Sequence, residues 1–206
     1  MVKRIFDFIF SLFGIIILFP ILLFTALLSY LFQGFPIFFM HKRLGKSGKP
    51  FTMIKFRTML QGPSLSAKDD ARRLTRWGKF LRRWSIDELT VLYNVIKGDM
   101  SLVGPRPMPI KYLHRYNSFQ KNRMNVKPGI TGLAQIYGRN HLTWEERFDY
   151  DVKYTETQSL YMDLQIIIKT IMLVIKGVNV EAKNQEIMPE FMGSNHFEDE
   201  DSKLIK

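Results

Sequence analysis

The sequence predicts a small α/β domain, mostly helical, held to a membrane by its N-terminus. Three observations carry this reading. Residues 8–40 contain no charged side chain and are dominated by Phe, Ile and Leu. Apolar residues at three- and four-residue spacing recur through much of the remaining chain, the mark of helices. Short alternating or glycine-bounded stretches between them suit strands. With 206 residues the chain has length for one domain and an appendage. The expected organisation is an anchor at 1–40, a globular domain at 41–180 and a flexible acidic tail at 181–206.

The anchor comes first. A cleavable signal peptide describes it poorly, because the apolar run is too long and no small-x-small cleavage pattern follows. A buried soluble helix is rarely apolar all round over such a length. As one helix, residues 8–33 would measure about 39 Å, enough to cross a ~30 Å hydrocarbon core with tilt. Pro20 interrupts the middle, taking the hydrogen-bond donor that the Ile16 carbonyl would use. Each half then reaches about 18 Å, roughly one leaflet. Lys3 and Arg4 precede the run, and Lys42, Arg43, Lys46 and Lys49 follow it. Positive charge at both ends gives a spanning helix no orientation. It fits a re-entrant helix-break-helix with both ends on the cytoplasmic face, the alternative being a kinked spanning helix.

The elements after the anchor follow from local pattern. "FTMIKF" (51–56) alternates as a strand does, and "LQGPSLSAKDD" reads as an exposed loop. From Asp70 a helix is expected. Ala71, Leu74, Trp77, Leu81 and Trp84 share one face, opposite Arg72, Arg73, Arg76, Lys79 and Arg83. That composition suits an amphipathic interfacial helix or a core helix with a solvated basic face. "SLVGPRPMP" is extended and proline-bounded. "VKPGITGLAQIYGRN" is a glycine-punctuated region with one short strand. "LTWEERFDYDVKY" and "LYMDLQIIIKTIMLVIKG" read as two helices.

Charge is unevenly spread. Residues 1–140 hold 23 basic and 6 acidic side chains, whereas residues 141–206 hold 7 and 13. A basic front part suits phosphate-bearing partners: nucleic acid, anionic lipid or a phosphorylated small molecule. The absence of cysteine excludes disulfides and thiolate metal sites.

Chemistry concentrates in "RRWSIDELTVLYN" (82–94). Ser85 and Glu88 match a capping box, so Asp87 and Glu88 are open to a purely structural reading as helix-start acids. The same position also favours chemistry. The dipole and free amides of a helix start would stabilise an anionic Asp87 as a nucleophile. Glu88 offers the hard oxygen that Mg²⁺ prefers. Arg82 and Arg83 lie just upstream, where a guanidinium can grip phosphate oxygens. Arg106 sits between two prolines on stiff backbone. Arg139 closes a loop containing Gly129, Gly132 and Gly138, where backbone has room to approach an anion. Lys55 and Arg57 alternate with Phe56 on the strand.

"KFRTM", "SIDELTVLYNVIKGDMSLVGPRP" and "KPGITGLAQIYGRN" together resemble the bacterial sugar transferases, the monotopic phosphoglycosyl transferases, over residues 3–176. The resemblance implies an enzyme that moves a sugar 1-phosphate from a UDP-sugar to undecaprenyl phosphate and releases UMP, starting membrane-bound glycan assembly. It implies Asp87 as the nucleophile of a ping-pong cycle with a covalent aspartyl phosphosugar, and Glu88 as a catalytic, Mg²⁺-coordinating acid. Arg82, Arg106 and Arg139 match its motif arginines and are assigned to phosphate, with Lys55 helping to hold the nucleotide. It also implies Pro20 as the break of a re-entrant helix, amphipathic interfacial helices, and a catalytic domain on the cytoplasmic face of the bacterial inner membrane. Membrane lipids and downstream glycosyltransferases follow as partners. There are two departures: Phe19 precedes Pro20 where the family usually has Ser, and His41 stands where Gln is common.

Two other functions compete. A membrane-tethered nucleic-acid binder would use the basic region, but no nucleic-acid fold motif is present and the aromatic residues fall in apolar stripes. No nucleic-acid partner is therefore expected. In a non-catalytic scaffold the two acids would only cap a helix.

Overall fold

The computed structural model describes residues 1–62, 72–138, 142–176 and 190–193. Helix α1, Val2–Gln33, is continuous, and Pro20 lies inside it rather than between two helices. Helical structure thus continues through the position expected to break it. The proline costs one backbone bond, but unwinding so apolar a segment would strand many more polar groups.

The faces of α1 are the reverse of those on a water-exposed helix. Asp7, Ser11, Thr25 and Ser29 are buried, and at about 100° per residue they fall on one stripe. Ile9, Phe13, Ile16, Phe24 and Leu31 point outward, each more than half exposed. The buried acid is satisfied: Asp7 Oδ2 accepts from Ser101 Oγ at 2.8 Å, and Oδ1 accepts from the Leu102 amide at 3.1 Å. Lys3 pairs with buried Asp163 at 2.6 Å, and Arg4 donates to the Val95 and Ile96 carbonyls. At the far end, Ser29 accepts from Trp77 Nε1 at 2.9 Å, and Arg57 donates to the Gln33 and Gly34 carbonyls. Both ends of α1 are thus fastened to one globule.

Strands β1, Phe38–Leu44, and β2, Pro50–Phe56, form an antiparallel hairpin. Phe39 faces Lys55, His41 faces Met53 and Arg43 faces Phe51, so these side chains share one surface of the hairpin. Arg72 and Arg73 are helical, the chain breaks at Leu74 and Thr75, and helix α2 then runs Arg76–Arg83. Thr75 caps it by accepting from the Gly78 amide, while Leu74 bridges to Met59. Asp70 and Ala71 lie outside the described residues. A Cβ on Gly78 would sit 1.9 Å from the Thr58 carbonyl oxygen. Only glycine lets α2 approach residues 57–59 so closely. The buried face of α2 carries Gly78 and Leu81, and Phe80 and Trp84 are exposed.

A 3₁₀ turn, Ile86–Val91, leads into α3, Leu92–Lys97. The expected capping box does not form, because Ser85 is left-handed (φ 55°) and its side chain caps nothing. Tertiary bonds set this segment instead. Thr90 Oγ1 donates to the Ile54 carbonyl at 2.8 Å. Asn94 donates to the Thr52 carbonyl at 2.7 Å and accepts from the Ile54 amide at 3.3 Å. The turn is thereby laid along β2. Capping boxes do form at Asn117 with Gln120 and at Thr143 with Glu146.

Strands β3, Ser101–Val103, and β4, Gly129–Thr131, pair in parallel. A Cβ on Gly129 would lie 2.1 Å from the Gly104 nitrogen, and one on Gly132 would lie 2.2 Å from the Gly104 oxygen. The space at these two glycines therefore serves backbone-on-backbone packing, not an anion. Helices α4, Ser118–Lys121, α5, Leu133–Tyr137, α6, Trp144–Thr157, and α7, Leu160–Ile175, complete the described fold. Among the described residues the strands are few and short and helices predominate, a mostly helical α/β domain.

The tail contributes to the core. Phe191 is buried among Leu44, Met108, Tyr112, Tyr116 and Phe148, with its ring centre 5.0 Å from that of Phe148. Glu190 pairs with Lys111 and Arg115, each at 2.7 Å. Residues 190–193 are thus docked, not loosely ordered as expected, and the rest of 181–206 lies outside the described residues. Phe191→Ala is expected to cost about 3–5 kcal/mol, read as a large fall in Tm. A shift within measurement error would remove Phe191 from the core.

Candidate active site

Five of the residues singled out from sequence line one cleft. Lys55 comes from β2, Arg82 from the last turn of α2, Asp87 and Glu88 from the 3₁₀ turn, and Arg106 from the Pro-Arg-Pro segment after β3. The cleft encloses about 1280 Å³, large for a single small ligand. Arg139 lies outside the described residues.

Glu88 is the electrostatic centre. Its Oε1 accepts from Lys55 Nζ at 2.5 Å and from Arg106 Nη2 at 2.9 Å. Burial opposes its charge, but the two cations win and hold its carboxyl far below the usual carboxylate range. Asp87 behaves oppositely. Burial, reinforced by the charge of Glu88, pushes its carboxyl up, and Lys55, Arg82 and Arg106 offset this only in part. A helix dipole does not set the acidity of Asp87 as expected. Asp87 follows a left-handed serine in a 3₁₀ turn, and desolvation dominates it. Two adjacent acids driven apart in acidity point to two different tasks.

The cations around the pair outnumber it. Arg43, Arg57 and Arg147 also line the cleft. The sequence reading missed Arg43 and Arg147 as site residues. Arg43 was legible through the strand period, which sets it on one face with His41. Arg147 gave no sequence signal, since it comes from α6, 59 positions beyond Glu88. Arg82 Nε donates to Thr58 Oγ1 at 3.0 Å, which aims the guanidinium from one side. Arg43 Nη2 lies 3.1 Å from His41 Nδ1. A guanidinium only donates, so Nδ1 accepts and the ring proton sits on Nε2. Burial, with Arg43, Lys55 and Arg106 nearby, pushes the His41 pKa down to about 3. His41 is therefore a neutral donor at any physiological pH.

Arg106 is supported from behind. Arg123 Nη2 donates to the Arg106 carbonyl at 2.7 Å and to Asp151 Oδ2 at 2.6 Å, and both partners of this ion pair are buried. Such a pair is strongly destabilising to break from one side. It fixes the backbone that presents Arg106 to Glu88. No sequence pattern linked residues 106, 123 and 151.

A metal fits this site in one mode. Among the described residues no cluster of three or more His, Cys, Asp or Glu exists to hold an ion. Mg²⁺ commonly takes one or two carboxylates and completes its shell with water and ligand phosphate oxygens. Asp87 and Glu88 supply that donor chemistry, because the paired Lys55 and Arg106 occupy Oε1 of Glu88 and not its second oxygen.

A basic cleft built around two unlike carboxylates suits an anionic, phosphate-bearing ligand. Comparison with known proteins agrees. Residues 1–177 match the family described as bacterial sugar transferase. The chain belongs to this family. It is 43% identical over 194 residues to the uncharacterized sugar transferase EpsL of Bacillus subtilis (strain 168), covering 93% of this chain and 96% of that one. The exopolysaccharide production protein ExoY of Sinorhizobium fredii (strain NBRC 101917 / NGR234) is 36% identical, with 82% of this chain and 83% of the relative aligned. The undecaprenyl-phosphate galactose phosphotransferase of Salmonella typhimurium is 35% identical over 84% of this chain, which spans only 40% of that longer protein. As a bacterial sugar transferase the chain is an enzyme, and its cleft is the candidate for the active site.

Proposed function

We propose that this sugar transferase moves a sugar 1-phosphate from a UDP-sugar to undecaprenyl phosphate, with Asp87 carrying the phosphosugar between two half-reactions. The observation that carries the reading is the contrast within the acid pair. Glu88 is locked into ion pairs, whereas Asp87, in no ion pair among the described residues, faces the same cations across a cleft. The name of the Salmonella relative, a phosphotransferase acting with undecaprenyl phosphate, supports the same substrates.

In the first half-reaction an Asp87 carboxylate oxygen attacks the β-phosphorus of the UDP-sugar. A bond from Asp87 to phosphorus forms, the bond to the α-phosphate oxygen breaks, and UMP leaves. In the second, a phosphate oxygen of the lipid attacks the same phosphorus. The aspartyl–phosphorus bond breaks, the carboxylate is regenerated, and the lipid diphosphate sugar departs. Each approach brings an anion to an anion. Lys55, Arg82 and Arg106 lower that barrier by neutralising phosphate charge in a partly dry cleft. Asp87 and Glu88 are the residues that would hold a Mg²⁺ ion, which would supply Lewis-acid neutralisation of phosphate charge.

The anchor fits this chemistry. An apolar outer surface on α1 with a polar inner stripe suits a helix lying in lipid while docked to its own globule. Both helix ends bind that globule, which supports a re-entrant arrangement with the catalytic domain on the cytoplasmic face of the cell membrane. Single cysteines at positions 2 and 40 are expected to react with an impermeant reagent from the same side. Labelling from opposite sides would overturn the topology. For the reaction, incubation with UDP-sugars and undecaprenyl phosphate is expected to yield UMP in step with lipid product. UDP in its place would overturn the proposed transfer.

A further inference from the structure

Two neutral side chains of the cleft each keep a polar atom unused. His41 Nε2 and Gln135 Oε1 are buried and have no hydrogen-bond partner among the described residues, and both side chains line the cleft that holds the acid pair. Which atom each presents is fixed by its other contact. Arg43 can only donate to His41 Nδ1, so the ring proton sits on Nε2. Gln135 Nε2 donates to the Ile130 carbonyl at 3.4 Å, so the remaining atom of its amide is the acceptor oxygen. Phe39 holds the His41 ring from one side, with the ring centres 5.1 Å apart. Gly132 makes room for the glutamine: a Cβ there would lie 2.6 Å from Gln135 Oε1. One donor and one acceptor are thus set in place, and burying such atoms without partners is unfavourable until a ligand meets them.

Their chemistry narrows the partner. Phosphate oxygens have Lys55, Arg82 and Arg106 to meet, and an ionised diphosphate carries no proton for Gln135 to accept. A hydroxyl group both accepts and donates. Position points to the sugar of the donor and away from its nucleoside. His41 lies in the field of Lys55, Arg106 and Glu88, beside the acid proposed to attack the phosphorus that bears the sugar. The nucleoside is one phosphate further away. We infer that His41 and Gln135 read the sugar of the donor, His41 Nε2 donating to a sugar oxygen and Gln135 Oε1 accepting a sugar hydroxyl proton. The inference rests on the proposed UDP-sugar donor and adds the residues that select it. Neutral, directional bonds suit that task, because a sugar lacking the matching group leaves the protein's own atom buried and unpaired.

The test holds the nucleotide constant and changes the sugar. UMP release is measured with undecaprenyl phosphate and, in turn, UDP-glucose, UDP-galactose, UDP-N-acetylglucosamine and UDP-N-acetylgalactosamine. Wild-type enzyme should prefer one of these donors. His41→Phe keeps a ring and loses the N–H, and Gln135→Met keeps the length and loses the acceptor. Each should lose about tenfold to a hundredfold in kcat/KM for the preferred donor, the effect of one buried hydrogen bond, and much less for the others. His41→Gln, which retains an N–H and a carbonyl, should recover most of the loss. Inhibition by UMP should be the same in every variant. Equal losses across all the donors, or weaker inhibition by UMP, would place these atoms on uridine or phosphate and overturn the inference. An unchanged donor preference in both variants would overturn it too.

Binding separates this inference from the reaction it rests on. In the Asp87→Asn background donors bind without being consumed, and the same sugar preference should appear in Kd and shrink when His41→Phe is added. That result, with no UMP released by the wild type, would preserve this inference and defeat the proposed transfer. A further measurement covers variants that fail to fold. Asp87→Asn protein carrying isotopically labelled histidine reports on His41 directly. Its Nε2–H resonance, assigned by its proximity to the Phe39 ring, should move downfield with the preferred UDP-sugar and stay in place with UMP. An equal shift with UMP would overturn the sugar reading.

Discussion

Asp87→Asn is expected to abolish transfer to lipid while leaving the fold as stable as the wild type, or slightly more so. The two halves of this expectation have one cause. Asp87 is 8% exposed, and burial together with Glu88 raises its pKa above the ordinary carboxylate value. A raised folded-state pKa means the ionised side chain costs stability at neutral pH, and the cost is relieved as pH falls through that raised value. Asparagine has nearly the same shape and no charge, so it removes the cost. It also removes the nucleophile, which should lower turnover by about 10⁴-fold or more. The measurements are initial rate and Tm at neutral pH and near pH 5. The Tm gap between variant and wild type should narrow toward the acid end. The wild-type rate should fall on an acid limb above about 3.9, the ordinary Asp value, because the reactive form is lost early. Substantial residual turnover would mean that another group attacks phosphorus.

Much of this architecture was legible where local pattern and tertiary packing agree. Helices α6 and α7 follow from apolar residues repeating at 3.6-residue spacing, and β2 follows from alternation. The acid pair was found, but its setting was misread. Ser85-x-x-Glu88 satisfies a capping-box pattern, yet Glu88 is drawn away by Lys55 and Arg106, and Thr90 and Asn94 tie the turn to β2. No window of a dozen residues contains those partners. The same distance hid Arg123–Asp151, which steadies Arg106 across 28 positions. Phe191 was hidden by composition. It lies in a short apolar stretch, Ile187-Met188-Pro189-Glu190-Phe191-Met192, inside a tail that is polar and acidic as a whole, and the composition of the whole masked the stretch.

Glu88→Gln should fail in a different way from Asp87→Asn, and the difference tests whether the pair really divides its labour. Glutamine keeps the shape but leaves Lys55 and Arg106 without their counter-charge, beside Arg43 and Arg82. Lys55 is mostly buried (14% of its side chain exposed), so burial will then push its pKa down further than it already does. Breaking one side of a buried pair costs about 3–5 kcal/mol. Arg106 is 42% exposed, and solvent screening discounts its share, leaving a loss of about 2–3 kcal/mol. The pH sign is opposite to that of Asp87. The Glu88 carboxyl is depressed in the fold, so its stabilisation is present above the unfolded value of about 4.3 and is lost only as pH falls through the much lower folded one. The Tm deficit should therefore be full at neutral pH and persist well into acid. Activity should drop about 10²–10⁴-fold through misaligned cations. The surviving rate should carry an acid limb shifted to lower pH, because Asp87 has lost a like-charged neighbour and gained two unpaired cations. A limb that stays put would mean that Glu88 does not tune Asp87, and that desolvation alone sets its acidity.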